Sequence, residues 1–418
     1  MKKTIFLCMI IAVIIGSCTQ RESKLPTVKP EKVGLSSDRL NRIKPAMQRY
    51  VDENKLPGLI TMVARKGKIV HFEKYGMMDE DKPMQLDAIF SIQSMTKMIT
   101  SVAVMMLYEE GYFQLDDPIS KFIPEFKDLK VFSYKDKNGI HVVDQIKPMT
   151  IENLLTHTSG IANFGGNNPV DSMYRAANLL AGTLKDMIQK LSKIPLIYQP
   201  GTKWNYSRST EVLGYLVEVI SGKPFDVFLK ERIFIPLKMV DTDFSVPKEK
   251  INRVAAVYGP ADSTGIKVRI KPDTSWMCRP AKFFSGNRGL VSTATDYMIF
   301  AQMLMNKGEY NGVRLLGSRT VDFMVQNHIS DEIMPTDRYF GPIFSGAGFG
   351  LGPGVTQDVS KAFIFGSAGA YWWGGAYSTM FQIDPKEQLI LILMTHVTPE
   401  NSYPFREFAV LTYQAIVD

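Results

Sequence analysis

Two side chains near the front of the chain are placed to do chemistry together. Ser94 and Lys97 lie three residues apart in Phe90-Ser-Ile-Gln-Ser-Met-Thr-Lys-Met-Ile-Thr-Ser-Val-Ala-Val-Met-Met-Leu107. Residues at i and i+3 share a helix face, so the hydroxyl and the amine can meet. The apolar run behind them suits a helix buried on every side, with Gly111 as its stop. Ser94 would stand where that helix begins, among unpaired N–H groups that favour developing negative charge. A lysine in such a setting loses hydration, reaches its neutral form more easily and can take the serine proton. The bland alternative is an N-cap serine followed by a surface lysine. Ser245-Val-Pro-Lys248 has the same spacing, but Pro247 interrupts it and no apolar helix follows.

Further along, the chain carries Leu154-Leu-Thr-His-Thr-Ser-Gly160, Trp204-Asn-Tyr-Ser-Arg-Ser-Thr-Glu-Val-Leu-Gly214, Gly289-Leu-Val-Ser-Thr-Ala-Thr-Asp296 and Trp373-Gly-Gly-Ala-Tyr-Ser-Thr379. With Ser94-Met-Thr-Lys97 in front, this ordered set resembles the penicillin-recognising serine hydrolases over roughly residues 31–415. The branch is that of class C β-lactamases, D-Ala-D-Ala carboxypeptidases and family VIII esterases. The resemblance implies that Ser94 forms an acyl-enzyme, with Lys97 and Tyr206 moving its proton. It places the two oxyanion donors at the backbone N–H groups of Ser94 and Ala376. Gly375 lets that backbone come close, and Trp373 and Arg208 stand beside the substrate.

Two positions depart from the β-lactamase pattern. Trp373 replaces the lysine of Lys-Thr-Gly, a cation that helps bind a substrate carboxylate. Tyr206-Ser-Arg208 lacks the asparagine of Tyr-x-Asn; Arg208 could receive an anion itself or point to solvent. Both departures resemble family VIII esterases, so the expectation is hydrolysis of carboxylic esters. The alternatives are cleavage of cell-wall peptides or β-lactams, and a catalytically silent envelope binding protein, which intact Ser94, Lys97 and Tyr206 argue against. His157 is expected to shape the site rather than to catalyse. There is no Gly-x-Ser-x-Gly, which argues against an α/β-hydrolase.

The N-terminus adds a location. Lys2-Lys3 precedes an apolar run from Ile5 to Ile15 and then Gly16-Ser17-Cys18. That is a secretory signal over residues 1–17. A cysteine after Ile-Gly-Ser resembles a bacterial lipobox, which makes Cys18 the expected lipid-bearing residue and the membrane a partner at the cell envelope. Cys278 is then alone, so no intramolecular disulfide framework is possible. The five histidines are scattered without metal-ligand spacing, and neither metal nor cofactor is expected. The net charge is +7, but no dense basic run points to nucleic acid.

The elements that must position these residues follow from pattern. Residues 58–65 and 68–75 are β-rich and joined at Arg65-Lys-Gly67, a hairpin signal. A helix is expected over 38–54, with Pro45 inside it. The stretch from 112 to 285 reads as helices (150–156, 184–193, 209–220) and loops such as 165–169. Helices at 296–307 and 318–327 follow, then strands at 361–365, 376–383 and 388–396 and a last helix over 402–416. Strands at both ends predict an α+β, β-lactamase/transpeptidase-like fold. One antiparallel sheet would join residues 31–111 to 286–418, with 18–30 as a tether and 112–285 as an inserted helical lobe.

Overall fold

The computed structural model describes residues 25–163, 168–261, 265–335 and 340–418. The N-terminal segment with Cys18, and most of the 165–169 loop, lie outside them. An eight-stranded antiparallel sheet dominates: β1 (Gly58–Arg65), β2 (Lys68–Asp79), β3 (Lys82–Pro83), β4 (Ala347–Phe349), β5 (Gly354–Thr356), β6 (Tyr371–Gly374), β7 (Met380–Asp384) and β8 (Leu389–Met394). Their spatial order is β4-β5-β6-β7-β8-β1-β2-β3, so the two chain ends meet where β8 pairs with β1, Ile60 opposite Met394. The β1–β2 turn needs positive φ at two residues, and Lys66 (49°) and Gly67 (71°) supply it.

Every residue of β1 and β8 is buried, as expected where both faces of a sheet are covered. Adjacent residues of β7 show what covers them. Phe381 meets Tyr297 of α4 (Ala294–Met305) at 5.2 Å between ring centroids. Gln382, next along the strand and therefore on the other face, donates to the Tyr413 hydroxyl of α5 (Tyr403–Tyr413). Beside α5 runs α1 (Ile43–Asp52). The expected helix over 38–54 is divided at Asn41–Arg42, which puts Pro45 in the first turn of α1, where its missing N–H leaves nothing unpaired.

Two further expectations need correction. Residues 361–365 are not a strand; the strand in that region is β6. The Phe363 and Phe365 carbonyls accept from the side chains of Arg406 and Gln382 rather than from a neighbouring strand. Likewise the strand expected from 376 starts at Met380, because residues 375–379 turn on themselves, Ser378 N–H bonding Gly375 O at 2.8 Å. The middle of the chain, read as helix and loop, also carries two separate ribbons, Val131–Asp136 with Gly139–Val143 and Val257–Pro260 with Ile266–Ile270.

The hairpin end of the sheet is tied by Asp384. Its buried carboxylate accepts from the Ser367, Lys386 and Glu387 amides and from the Tyr413 hydroxyl at 2.6 Å. Tyr413→Phe leaves one of these acceptor positions without a donor. Unfolding in denaturant should show a loss of about 1–3 kcal/mol, and an unchanged midpoint would exclude this role.

Candidate active site

The chain enters the site through a short β-bridge, Phe90–Ser91 against Val291–Ser292. It then turns sharply. Gln93 has φ 44°, held by its side-chain amide donating to Ser91 Oγ at 2.8 Å. Ser94 sits in a tight 3-10 turn, Gln93–Met95, just ahead of α2 (Thr96–Glu109). Its N–H is among the donors a helix start leaves unpaired. In α2 every residue from Thr96 to Leu107 is buried, as the unbroken apolar run foretold.

Lys97 is 1% exposed. Its Nζ donates to Ser94 Oγ at 3.0 Å and to the Asn287 carbonyl at 3.0 Å. It also lies 4.4 Å from the centroid of the Tyr206 ring. Burial pushes the Lys97 pKa well below the ordinary lysine value; the charges of Arg208 and Arg288 add to this, while Glu211 and Glu400 oppose it. An amine made easy to deprotonate thus touches the candidate nucleophile.

Tyr206 lies in the loop that leads into α3 (Ser209–Ser221). Its hydroxyl accepts from Trp373 Nε1 at 3.3 Å, which joins the phenol to β6. Around it stand Trp204, Phe340 and Trp373, an aromatic enclosure with Phe344 and Phe349 behind, both against Trp204. His157 belongs to the frame of this loop. It is buried with φ 57°, and its Nδ1 accepts from Ser207 N–H at 3.3 Å. Burial, with the Lys97 charge adding, lowers its pKa well below the ordinary value.

Past Trp373 the strand runs against the nucleophile turn. A side chain at Gly375 would strike the Ile92 carbonyl oxygen and the Thr379 hydroxyl. Ala376 follows, exposed, in the turn rather than in a strand, and its N–H has no partner among the described residues. The structure therefore brings together Ser94, Lys97, Tyr206, Trp373 and Gly375.

Arg208 is different. It is 3% exposed, and its guanidinium pairs at 3.3 Å with Glu211, also fully buried. The expectation that it points to solvent does not hold, because the fold buries it. Sequence reasoning also missed Asn287, whose part is played by a backbone carbonyl and leaves no side-chain signature.

A family model described as Beta-lactamase matches residues 43–414 of this chain. The chain belongs to the beta-lactamase family. It is a serine hydrolase of that family. Protein Rv1367c of Mycobacterium tuberculosis is 34% identical, over 85% of this chain and 90% of its own length. A putative D-alanyl-D-alanine carboxypeptidase of Escherichia coli is 26% identical, over 100% and 98%. Esterase EstB of Burkholderia gladioli is 27% identical, over 86% and 91%. The solved structure of simvastatin synthase from Aspergillus terreus superposes with a TM-score of 0.79 at 23% identity, over 90% of this chain and 98% of that one.

For this beta-lactamase family member, Gly375→Ala should lower the melting temperature, because the added methyl meets the Ile92 carbonyl oxygen and the Thr379 hydroxyl. It should also lower kcat by about 10²- to 10³-fold by displacing the Ala376 N–H from the nucleophile; an unchanged kcat would remove that donor from the mechanism.

Proposed function

We propose that this protein hydrolyses carboxylic esters of uncharged, apolar character through an acyl-Ser94 intermediate. The observation that carries the reading is the Trp373–Tyr206 hydrogen bond: an indole stands over the catalytic phenol where β-lactamases place a substrate-binding lysine. An aromatic enclosure stabilises an apolar acyl or alcohol group by burial and offers a carboxylate no ion pair there. Arg208, turned inward onto Glu211, does not replace the missing cation. The likeness to EstB over most of both chains points the same way.

In this mechanism the Lys97–Tyr206 pair takes the Ser94 proton as Oγ attacks the ester carbonyl. The tetrahedral oxyanion is held by the Ser94 and Ala376 N–H groups. The pair returns the proton to the departing alkoxide, and water then releases the acid by the reverse sequence. We further propose that a lipid on Cys18 anchors the enzyme at the bacterial cell envelope.

Ser94→Ala should abolish both ester turnover and fluorophosphonate labelling; labelling that survives would defeat the acyl-serine assignment. Steady turnover of a chromogenic cephalosporin without short-chain ester activity would transfer the function to amides. The amine acts only when neutral, so kcat/KM should fall as pH drops through the Lys97 pKa. Because that pKa is depressed, the acid limb should lie well below the usual lysine range. Lys97→Arg, a permanent cation, should cost about 10²- to 10⁴-fold in kcat at neutral pH. Mass spectrometry after growth with a labelled fatty acid tests the anchor, and an unmodified Cys18 would exclude it.

A further inference from the structure

Behind Lys97 lies a closed set of polar groups that the ester mechanism does not use. Glu211, on the first turn of α3, is fully buried. Its carboxylate accepts from Arg208 Nη1 at 3.3 Å, from Ser285 Oγ at 2.7 Å and from the Asn287 N–H at 3.3 Å. Asn287 in turn presents its carbonyl to Lys97 Nζ. The 285–290 segment is pinned along α2 as well: Thr100 Oγ1 donates to Gly286 O at 2.7 Å, and Leu290 N–H donates to Thr96 Oγ1. A side chain at Gly286 would run into the Thr210 carbonyl, so α3 and this segment are in intimate contact.

We propose that Glu211, held by Arg208, is a positioning residue that fixes the Asn287 carbonyl against Lys97 and thereby aims the amine at Ser94. This rests on the acyl-Ser94 reading. A buried charge is costly unless it is paired and fully hydrogen-bonded, and Glu211 spends its acceptors on the one loop that carries the second acceptor of Lys97. The same carboxylate is the chief charge opposing the lowering of the Lys97 pKa. The charged groups that act on Lys97 are Glu211 on α3, Arg208 just before it, Arg288 on the pinned segment, and Glu400 ahead of α5. Removing the Glu211 charge leaves Arg208 and Arg288 less opposed, so Lys97 would lose its proton at lower pH.

Glu211→Gln keeps the size and removes the charge, and Glu211→Asp keeps the charge and shortens the reach. In both, kcat should fall roughly 10- to 100-fold with KM little changed, because the amine is misaimed. Only Glu211→Gln should move the acid limb of kcat/KM to lower pH; Glu211→Asp should leave it in place. A limb unmoved in Glu211→Gln, or moved alike in both, overturns the inference. If either variant fails to give a cooperative melt, Ser285→Ala removes one hydrogen bond to the carboxylate without altering charge. It should lower kcat at unchanged KM, and an unchanged kcat overturns the positioning role. Wild-type enzyme without a Ser94 adduct would sink the ester reading itself; wild-type enzyme with the adduct and an acid limb, but variants that behave like it, sinks this inference alone.

Discussion

A lysine amine without water is the condition the rest of the structure serves. Lys97 is enclosed by α2, by the segment through Asn287 and by the ring of Tyr206. In water its charge would be stable and the amine useless as a base. Inside the protein the charged form is penalised, and the two acceptors left to it are the nucleophile and a backbone carbonyl. Each enclosing element has its own reason to be there. The apolar run of α2 must be buried, and burying it buries the lysine in its first turn.

The end of strand β6 supplies the complementary half. β6 is short, and beyond it the backbone makes a tight turn instead of continuing the ladder. That turn leaves the Ala376 N–H unspent, and the missing side chain at Gly375 lets it approach the nucleophile turn. Trp373 does two things through one side chain. It walls the site with apolar surface, and its indole N–H bonds the Tyr206 hydroxyl. The aromatic enclosure and the phenol proposed to move the proton are thus physically one unit.

Much of this was legible along the chain. The Ser94–Lys97 spacing, the apolar helix after it and the Lys66-Gly67 turn are local, governed by helical spacing, burial pattern and φ preference. They came out as expected. The strand expected at 361–365 failed because β-propensity says nothing about whether a partner strand is within reach. There the carbonyls found the Arg406 and Gln382 side chains instead. The ribbons at 131–143 and 257–270 were passed over because they are small pairings inside a stretch dominated by helices.

By itself the sequence determined which groups exist to react and how near they are along the backbone: a hydroxyl and an amine one helical turn apart, a phenol in a separate motif, glycines where a backbone must approach. Whether the amine is charged, which carbonyl it faces and where Arg208 points were decided only in three dimensions. Those properties depend on solvent exclusion and, for Lys97, on Glu211 and Asn287, both more than a hundred residues further along the chain. Arg208 shows the difference: its pairing with Glu211, three residues on, is local spacing, but the burial of both side chains, which turns the guanidinium away from solvent, was decided by the fold.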